Sequence, residues 1–382
     1  MKVDVAIVGA GPAGSTLGAL LARRGVAVAL IDRDTFPRDK LCGEFLSYDA
    51  LPLLDRLGLI AQLDAHAAPS ISRCRVVGRR SIYEFELPRP ARGVSRLLLD
   101  QLLFRAAVAA GAADWSGWTA ARVSGSAVEI ERNGEKRTLA AAVVAGAWGR
   151  WGRFDAQLGR GFVRDRAHRN FGFKRHYRAT DREDRVIELY SFRRGYLGVS
   201  PIEGGLANVC GLVHASRLTG LKGRWDTFVA TIREEEEALD RMYAAHEPAQ
   251  EGFLSSEPVI FRPRSAVEGG VLMVGDASGV IDPLTGNGLA MAVQSALVAA
   301  PSILRLLGGG DRGAIESAYR QAHHGFFAPR IRWSRPVARL LSQPAIVETA
   351  LRLVRTRKGG QLLLARTRAA DAEVERIVGA WF

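Results

Sequence analysis

The stretch that decides the fold is VDVAIVGAGPAG, residues 3–14, at the start of the chain. Its first six residues form an apolar, β-branched run of the kind buried on both faces of a parallel sheet. The glycine-rich turn after it opens a helix predicted over residues 13–24. A second apolar run covers residues 26–31 and ends beside Asp32, 23 residues after Gly9. This order of strand, turn, helix and strand predicts a parallel βαβ unit.

The turn has the properties needed to bind a dinucleotide. Its three glycines permit a tight turn, close approach of a pyrophosphate, and close packing of the helix on the strand. The free N–H groups and positive dipole end of the helix attract phosphate, and an aspartate after the second strand accepts hydroxyl protons from ribose. The residues predicted to hold the ligand are Gly9, Gly11, Pro12, Ala13, Gly14, Asp32 and Arg33. The turn alone does not separate FAD from NAD, because both contain ADP.

Composition excludes several classes of protein. The 382 residues, 47% hydrophobic and 24% charged, are typical of a globular protein with two or three domains. We expect no membrane-spanning run and no signal peptide, and hence a cytoplasmic protein. Three cysteines without a CxxC spacing predict free thiols and no metal site.

The net charge of +13 is concentrated near the C-terminus. Residues 330–368 contain ten basic residues and one acidic residue, Glu348, so this stretch contributes +9. Arginine alternates with leucine there, which is typical either of a helical cap with a solvated arginine face or of a peripheral membrane face. We do not expect nucleic acid as a partner, because no platform of stacked aromatic and basic residues is visible.

Hydrophobic patterns beyond the βαβ unit predict a second, antiparallel sheet and a helical C-terminus. Asn133-Gly134 predicts a tight hairpin. The other predicted elements are strands within residues 72–87 with a turn at Gly78, strands over 186–192, 196–202 and 271–274, helices over 46–63, 96–110, 226–245 and 288–307, and basic C-terminal helices bounded by Pro329 and Pro336. We expect the acidic run at residues 234–237 to lie on a solvated helix face.

Three further motifs, far apart in the chain, are similar to those of one group of flavoproteins. They read FPRDKLCGE (residues 36–44), GDASG (275–279) and PLTGNG (283–288). Over residues 1–330 the chain resembles the FAD-dependent superfamily of aromatic-ring (class A) flavoprotein monooxygenases, geranylgeranyl-reductase-like enzymes and flavin-dependent halogenases. The first motif is most similar to the geranylgeranyl-reductase-like branch.

The resemblance implies an α/β fold of the para-hydroxybenzoate-hydroxylase type. A Rossmann-like FAD-binding domain would be joined by an antiparallel-sheet substrate domain and a C-terminal helical region. We expect the FAD-binding domain to be discontinuous, over residues 1–75, 95–158 and 255–328. The substrate domain would cover 76–94 and 159–254, and the helical region 329–382.

The resemblance also implies how FAD is held. Asp276 would bind the ribityl chain, and the loop at 283–288 would lie along the isoalloxazine, with the next helix aimed at the pyrimidine edge. Arg96 would lie against the phosphates or the ribityl chain, while Asp100 is expected to be structural. The implied cofactor residues beyond the first turn are Arg38, Cys42, Gly43, Arg96, Gly275, Asp276, Pro283, Gly286, Asn287 and Gly288.

Lys40, Cys42 and Glu44 are the candidate catalytic residues near the flavin. Two of them also have simpler explanations: Cys42 as a small buried apolar side chain, and Lys40 as a solvated loop charge. NAD(P)H is the expected electron donor. Many of the monooxygenases have an Asp-Gly pair linked to its binding, but here Trp148 stands where the aspartate would be. Trp148 and Trp151 are expected to pack against the core.

The residues separate three possible chemistries. Halogenases of this superfamily need a lysine that captures hypohalous acid and a Trp-x-Trp-x-Ile-Pro segment. No lysine lies between Lys40 and Lys136, and residues 196–201 read YLGVSP, so halogenation is not expected. The favoured prediction is hydroxylation of a hydrophobic aromatic, polyketide- or quinol-like substrate with O2, through a flavin hydroperoxide. The alternative is an FAD-dependent C=C reductase of the geranylgeranyl-reductase type.

Overall fold

The computed structural model describes residues 1–150, 152–164, 170–179, 183, 185–221, 224–256, 258–353 and 358–382, so Trp151 lies outside it. The strands are β1 (Lys2–Val8), β2 (Val28–Asp32), β3 (Phe45–Leu46), β4 (Ser70–Val77), β5 (Ile82–Gly93), β6 (Ala113–Ser116), β7 (Thr119–Val123), β8 (Ala127–Arg132), β9 (Glu135–Gly146), β10 (Asn170–Ala179), β11 (Val186–Phe192), β12 (Gly195–Ile202), β13 (Leu206–His214), β14 (His246–Pro248), β15 (Leu254–Ser255), β16 (Val267–Glu268) and β17 (Val271–Met273). The helices are α1 (Pro12–Ala22), α2 (Leu51–Arg56), α3 (Ile60–Ala65), α4 (Arg96–Ala109), α5 (Arg153–Gln157), α6 (Trp225–Glu235), α7 (Glu237–Ala244), α8 (Gly288–Leu307), α9 (Arg312–Leu341), α10 (Pro344–Leu353), α11 (Lys358–Ala365) and α12 (Asp371–Gly379).

The first sheet is built around the N-terminal βαβ unit. Its strand order is β16-β17-β9-β1-β2-β6, with β1 parallel to both β2 and β9. Alternate side chains of β1 enter two different cores: Val5 and Ile7 pack with α1, α4 and α8, whereas Ala6 and Val8 pack with the ribbon formed by β7, β8 and β9. Both faces are therefore buried, which explains the continuous apolar run.

The predicted hairpin is present between β8 and β9. Asn133 and Gly134 both have positive φ, 51° and 83°, as a two-residue hairpin turn requires. The ribbon of β7, β8 and β9 covers one face of the first sheet. Leu139 of this ribbon packs there in one core with Trp115 and Trp118. The last residues of β9 return to pair in parallel with β1.

The second sheet has the order β14-β10-β13-β12-β11-β4-β5-β3 and is antiparallel except between β4 and β11. Helices α6 and α7 cover one face of it, where Phe173 and Phe192 pack against Phe228. The mixed α/β fold class is confirmed. The division into domains stays a prediction, although β3 and most of β4, which belong to this sheet, lie before residue 76.

Two predicted helices are interrupted. The helix expected over 46–63 is split into α2 and α3 at Gly58, whose φ is 77°. The helix expected over 226–245 breaks at Glu236, which has extended backbone angles. The Glu236 side chain is buried and accepts two hydrogen bonds from Arg79, at 2.7 and 2.9 Å. The expectation of a solvated acidic face is therefore wrong at Glu236, because a distant arginine pairs with it.

The C-terminal region differs from its predicted boundaries. Pro329 and Pro336 lie inside α9, which continues through both, although each proline removes a backbone donor. Helix α8 is, among the described residues, a 20-residue helix that is long and apolar enough to cross a membrane by length and composition. The expectation that no apolar run reaches membrane-spanning length is therefore wrong for α8. Of its most apolar window 67% is buried inside the protein, so α8 is a core helix here.

Candidate functional site

A cavity of about 1140 Å³ connects the first turn to the second sheet. It exceeds the roughly 300–1,000 Å³ of ordinary small-molecule sites, which suits a dinucleotide together with a second molecule. The four sequence motifs meet on its wall. Predicted site residues on the wall are Gly9, Gly11, Pro12, Ala13, Asp32, Arg33, Arg38, Lys40, Cys42, Gly43, Glu44, Arg96, Gly275, Asp276, Pro283, Gly286 and Gly288.

The three glycines of the first turn have different surroundings. A Cβ at Gly9 would lie 2.3 Å from the Ala147 carbonyl oxygen, and one at Gly14 would lie 1.8 Å from the Gly9 oxygen. Both positions are closed by backbone. A Cβ at Gly11 would meet only the guanidinium groups of Arg38 and Arg96, each at 3.8 Å. Gly11 thus leaves open the place where a phosphate would sit at the N-terminus of α1.

Arg38 and Arg96 are held beside this open face by buried carboxylates. Arg96 makes a bidentate pair with Asp100, with both N–O distances 2.6 Å. Arg38 donates to Asp32 at 3.0 Å and lies 3.5 Å from Asp100. Asp100 is fully buried, so its role is to orient two cations rather than to meet a ligand. Two fixed guanidinium groups next to a helix N-terminus form a suitable diphosphate site.

Asp32 stabilises the turn as well as facing the cavity. Its Oδ2 accepts a hydrogen bond of 2.7 Å from the Ala10 N–H, and its Oδ1 accepts from the Asp34 N–H at 3.0 Å. The Arg33 side chain is 70% exposed at the cavity rim. Lys40 lies 2.5 Å from Asp34. Burial acts to raise the pKa of Asp34, but Lys40 and Arg38 together lower it. Lys40 therefore lies at the nucleotide end of the cavity.

The opposite end is formed by the GDASG and PLTGNG loops. Burial raises the pKa of Asp276, against the effect of the nearby arginines. Gly286 has a φ of 61°, and a Cβ there would lie 2.8 Å from the Phe45 ring. Asn287 caps α8 but is fully buried away from the wall, where its Nδ2 donates to the Thr367 carbonyl. Asn287 and Gly14 are thus the two predicted residues that act behind the cavity surface.

Glu44 lies in a buried cluster that sequence inspection missed. Its backbone φ is 55°, and its carboxylate accepts from the Arg96 N–H at 2.7 Å. Lys174 Nζ lies 2.6 Å from Glu44 and 2.5 Å from Asp39, and His176 Nε2 lies 2.7 Å from Glu44. Lys174 and His176 point to one face of β10, two residues apart. The run of three basic residues Lys174-Arg175-His176 inside a strand was the available signal, because its first and third members share one face.

Cys42 lies between this cluster and the cavity. Its carbonyl accepts a hydrogen bond of 2.9 Å from Asn208 on β13, which fixes the loop against the second sheet. Burial raises the pKa of the Cys42 thiol, and burial raises the pKa of Cys210, also on the wall, to about 12. Both are free, partly buried cysteines whose environment favours the thiol over the thiolate.

The second sheet supplies an apolar wall with a single phenol. The wall residues it contributes include Ile187, Leu189, Tyr196, Cys210, Leu212 and Leu254. Tyr196 Oη donates to the Asp282 carboxylate and accepts a 3.0 Å hydrogen bond from the Leu284 N–H. Burial raises the pKa of Asp282 to about 6. Neither Tyr196 nor Asp282 was predicted as a site residue.

Trp148 packs against the core as expected, and it also lines the cavity. Its ring lies 5.1 Å from that of Phe154, and its indole N–H donates to Asp155 at 3.4 Å. A Cβ at Gly146 or Gly152 would lie within 2.3 to 2.6 Å of the ring. The two glycines therefore make room for the indole. NAD(P)H as electron donor stays a prediction.

These features fit FAD. The open face at Gly11, the paired arginines and Asp32 match the charge and hydroxyl groups of an ADP half. Asp276 and the loop with positive φ at Gly286 border the far end of the same cavity, where a ribityl chain and a flat ring would follow. The donor groups suit the diphosphate and the hydroxyl groups of FAD, and the size of the cavity suits the whole cofactor.

Comparison with known proteins identifies the type of protein. A family model described as FAD binding domain matches residues 2–328. The chain is 27% identical to a tryptophan 2-halogenase from Chondromyces crocatus, over 91% of this chain and 69% of that protein. It is also 27% identical to a menaquinone reductase from Mycolicibacterium smegmatis, over 91% of this chain and 86% of that protein.

Solved structures show the same fold. The flavin-dependent brominase Bmp2 superposes with a TM-score of 0.81 at 20% identity, covering 100% of this chain and 98% of that one. A geranylgeranyl bacteriochlorophyll reductase-like protein from Thermoplasma acidophilum gives 0.77 at 19% identity, covering 100% and 99%. The family match confirms the resemblance to this flavoprotein superfamily, and the geranylgeranyl bacteriochlorophyll reductase-like protein shares its fold.

The favoured prediction of a hydroxylase is wrong. The relatives that match along most of the chain include a tryptophan halogenase, a brominase and a menaquinone reductase, rather than enzymes that hydroxylate aromatic rings. The prediction relied on the lack of membrane-embedded features, but a reductase needs only a cavity that admits an apolar chain. The presence or absence of a membrane-embedded helix therefore does not distinguish a reductase from a hydroxylase.

Proposed function

The chain belongs to the family described as FAD binding domain, and from this premise we propose that it reduces a C=C bond in an isoprenoid-like, hydrophobic substrate. The observation that carries the proposal is the composition of the cavity wall opposite the FAD motifs. That wall is mostly apolar, and its protic groups are two thiols, the Tyr196 phenol and the hydroxyls of Ser255 and Ser256. Such a wall suits a hydrocarbon chain placed against a flavin.

The lysine content of the wall favours reduction over halogen transfer. Within the described part of the cavity wall, Lys40 is the only lysine, and its amine is paired with Asp34 at the nucleotide end. Lys174 is fully buried and paired with two carboxylates. Neither amine is available beside the apolar wall to receive hypohalous acid. The menaquinone reductase also matches over a larger share of its own length than the halogenase does.

The protein's own contribution is binding, orientation and exclusion of water. FAD supplies, when reduced, two electrons together with one hydrogen. Arg38, Arg96 and the turn at Gly11 would hold its diphosphate, and Asp276 its ribityl hydroxyls. The carboxylates behind the arginines keep both guanidinium groups fixed, so little ordering remains to be done on binding. The apolar side chains of β11 and β13 would hold an unsaturated chain over the far end and keep the reacting carbons dry.

We also propose that the C-terminal helices rest on a membrane that contains the substrate. Five of the ten exposed large apolar residues in the described chain lie within residues 333–362. They are Trp333, Leu340, Ile346, Leu353 and Leu362. Exposed arginines such as Arg339 and Arg352 accompany them. The inner side of these helices caps the second sheet, where Glu348 accepts from the Arg80 N–H and the Ser81 hydroxyl. One region thus serves both as a cap and as a basic, apolar outer surface.

The test compares reduction with halogenation in one preparation. Protein loaded with FAD is reduced by dithionite without oxygen and mixed with geranylgeraniol, a polyene whose C=C bonds are its only reducible groups. The proposal predicts return of the oxidised flavin absorbance and loss of one double bond. A parallel sample receives tryptophan, bromide and oxygen. A brominated product with no reduction of the polyene would refute the proposal in favour of halogenation.

A further inference from the structure

Tyr196 and Asp282 join the two sides of the cavity. Tyr196 belongs to β12 of the second sheet, and Asp282 directly precedes the loop predicted to lie along the flavin. Their contact is a hydrogen bond from the phenol to the carboxylate, and the Leu284 N–H donates to both, at 3.0 and 3.1 Å. The phenol therefore stands where the apolar wall meets the flavin loop.

The environment of Asp282 is unusual for an ionised carboxylate. It is 4% exposed, and its side-chain partners are the neutral Tyr196 hydroxyl and Leu284 amide. No ion pair joins it to a lysine or arginine within the described ranges. Burying a charge without a cation is costly, so burial raises the pKa of Asp282 to about 6, and its acid form is the major one below about pH 6. At such pH values the pair can store a proton behind the phenol.

Reduction of a C=C bond requires such a proton. We infer that Tyr196 is the proton donor of the proposed reduction and that Asp282 is a positioning residue that returns a proton to it. The inference rests on the proposed function. One carbon receives a hydrogen with its electron pair from reduced FAD. The π bond breaks, its electron pair forms the second C–H bond with the Tyr196 proton, and the phenolate takes the proton of the Asp282 acid, which solvent later replaces.

Other protic groups on the wall are less suited to this step. Glu44 accepts from Lys174, His176 and the Arg96 N–H, so its carboxylate is already occupied as an acceptor. Burial raises the pKa of the Tyr196 phenol as it does those of the Cys42 and Cys210 thiols, so the pKa does not separate them. Within the described residues, however, neither thiol has a carboxylic acid in hydrogen-bond contact behind it. Tyr196 differs because a second proton is stored one hydrogen bond away.

The experiment uses the FAD-loaded enzyme and its Tyr196→Phe variant. Both are reduced by dithionite and mixed anaerobically with geranylgeraniol in H2O and in D2O. Removal of a general acid should slow flavin reoxidation about 100- to 10,000-fold. The wild type should show a solvent isotope effect and two deuterons in each product, because dithionite supplies only electrons and the hydrogen carried by reduced FAD also comes from solvent. FAD affinity and the rate of dithionite reduction should not change in the variant.

Tyr190→Phe is the matched control. Tyr190 lies on the neighbouring strand β11, its hydroxyl donates to Glu188, and it is not part of the cavity wall. Its loss should leave reoxidation unchanged. Asp282→Asn keeps an acceptor for the phenol but cannot return a proton, so it should slow repeated turnover and retain FAD.

The outcomes separate the inference from the proposed function. A wild-type enzyme that reduces the polyene, together with a Tyr196→Phe variant that does so at the same rate and with the same isotope effect, overturns the role of Tyr196 alone. A wild-type enzyme that binds FAD but leaves the polyene intact overturns both. A variant that loses FAD as well as activity would show a structural role and also overturn the inference.

Discussion

The nucleotide end of the cavity and its substrate wall differ in how their residues are brought together. At the nucleotide end, Gly9, Gly11 and Asp32 act over short distances within one βαβ unit. At the substrate wall, Glu44 meets Lys174 across 130 residues of sequence, and Tyr196 meets Asp282 across 86. Local spacing therefore encodes the first region, whereas the second depends on the register of a sheet. This difference decides which parts of the site a sequence reveals.

The largest expected effect is at the buried cluster of the second region. Lys174→Met leaves the Glu44 and Asp39 carboxylates without their cation, so the free energy of unfolding should fall by about 3–5 kcal/mol. Urea unfolding measures the loss. Lys40→Met is the control, because the Lys40 amine is 35% exposed and should cost no more than about 1 kcal/mol. Equal losses in the two variants would contradict the contrast between the two lysines.

Asp282, at the junction of the two regions, should make the free energy of unfolding depend on pH. The pKa of Asp282 is raised from 3.8 to about 6 on folding, so the folded state binds more protons between these values and stability falls as pH rises through them. The shift corresponds to about 3 kcal/mol at most. Asp282→Asn removes this dependence. Its melting temperature relative to wild type should therefore increase between pH 4 and pH 8, and a constant difference would show that Asp282 ionises normally.

The nucleotide end gives a sharper but smaller test. Gly11→Ala places a methyl group in the open face beside Arg38 and Arg96, so it should weaken FAD binding about 10- to 100-fold and leave the apoprotein's melting temperature unchanged. Gly14→Ala places a methyl group against the Gly9 carbonyl and should lower the melting temperature itself. Flavin fluorescence and thermal melting distinguish the two. A Gly11→Ala variant with normal affinity would remove the phosphate site from this turn.

The smallest effect concerns the outer surface of the C-terminal helices. Arg339→Gln should weaken binding to vesicles with anionic lipid by about 1 kcal/mol, roughly fivefold, at low salt. Arg105→Gln, an exposed arginine on α4, should have no effect. Sedimentation with vesicles measures both. Binding that neither anionic lipid nor salt alters would rule out the proposed membrane surface.

The same contrast explains which predictions from the sequence succeeded. The βαβ unit, the Asn133-Gly134 hairpin and α8 follow from local patterns, and the structure has them. The break at Glu236 depends on Arg79, 157 positions away, and the passage of α9 through Pro329 depends on tertiary packing. No sequence motif marks the buried polar residues of the second region, because their partners lie in other segments. These residues are Lys174, His176, Tyr196 and Asp282. The prediction of hydroxylation was wrong for a related reason. The cavity wall that would face the substrate is assembled from strands that are far apart in the sequence.

A single-turnover experiment tests the central claim most directly. One equivalent of FAD-loaded enzyme is reduced by dithionite, excess reductant is removed, and geranylgeraniol is added without oxygen. We predict one oxidised flavin and one product heavier by two hydrogens for each enzyme molecule, with both hydrogens replaced by deuterium when the reduction and the reaction are run in D2O. Flavin that stays reduced while the polyene is recovered unchanged would contradict the assignment as a C=C reductase.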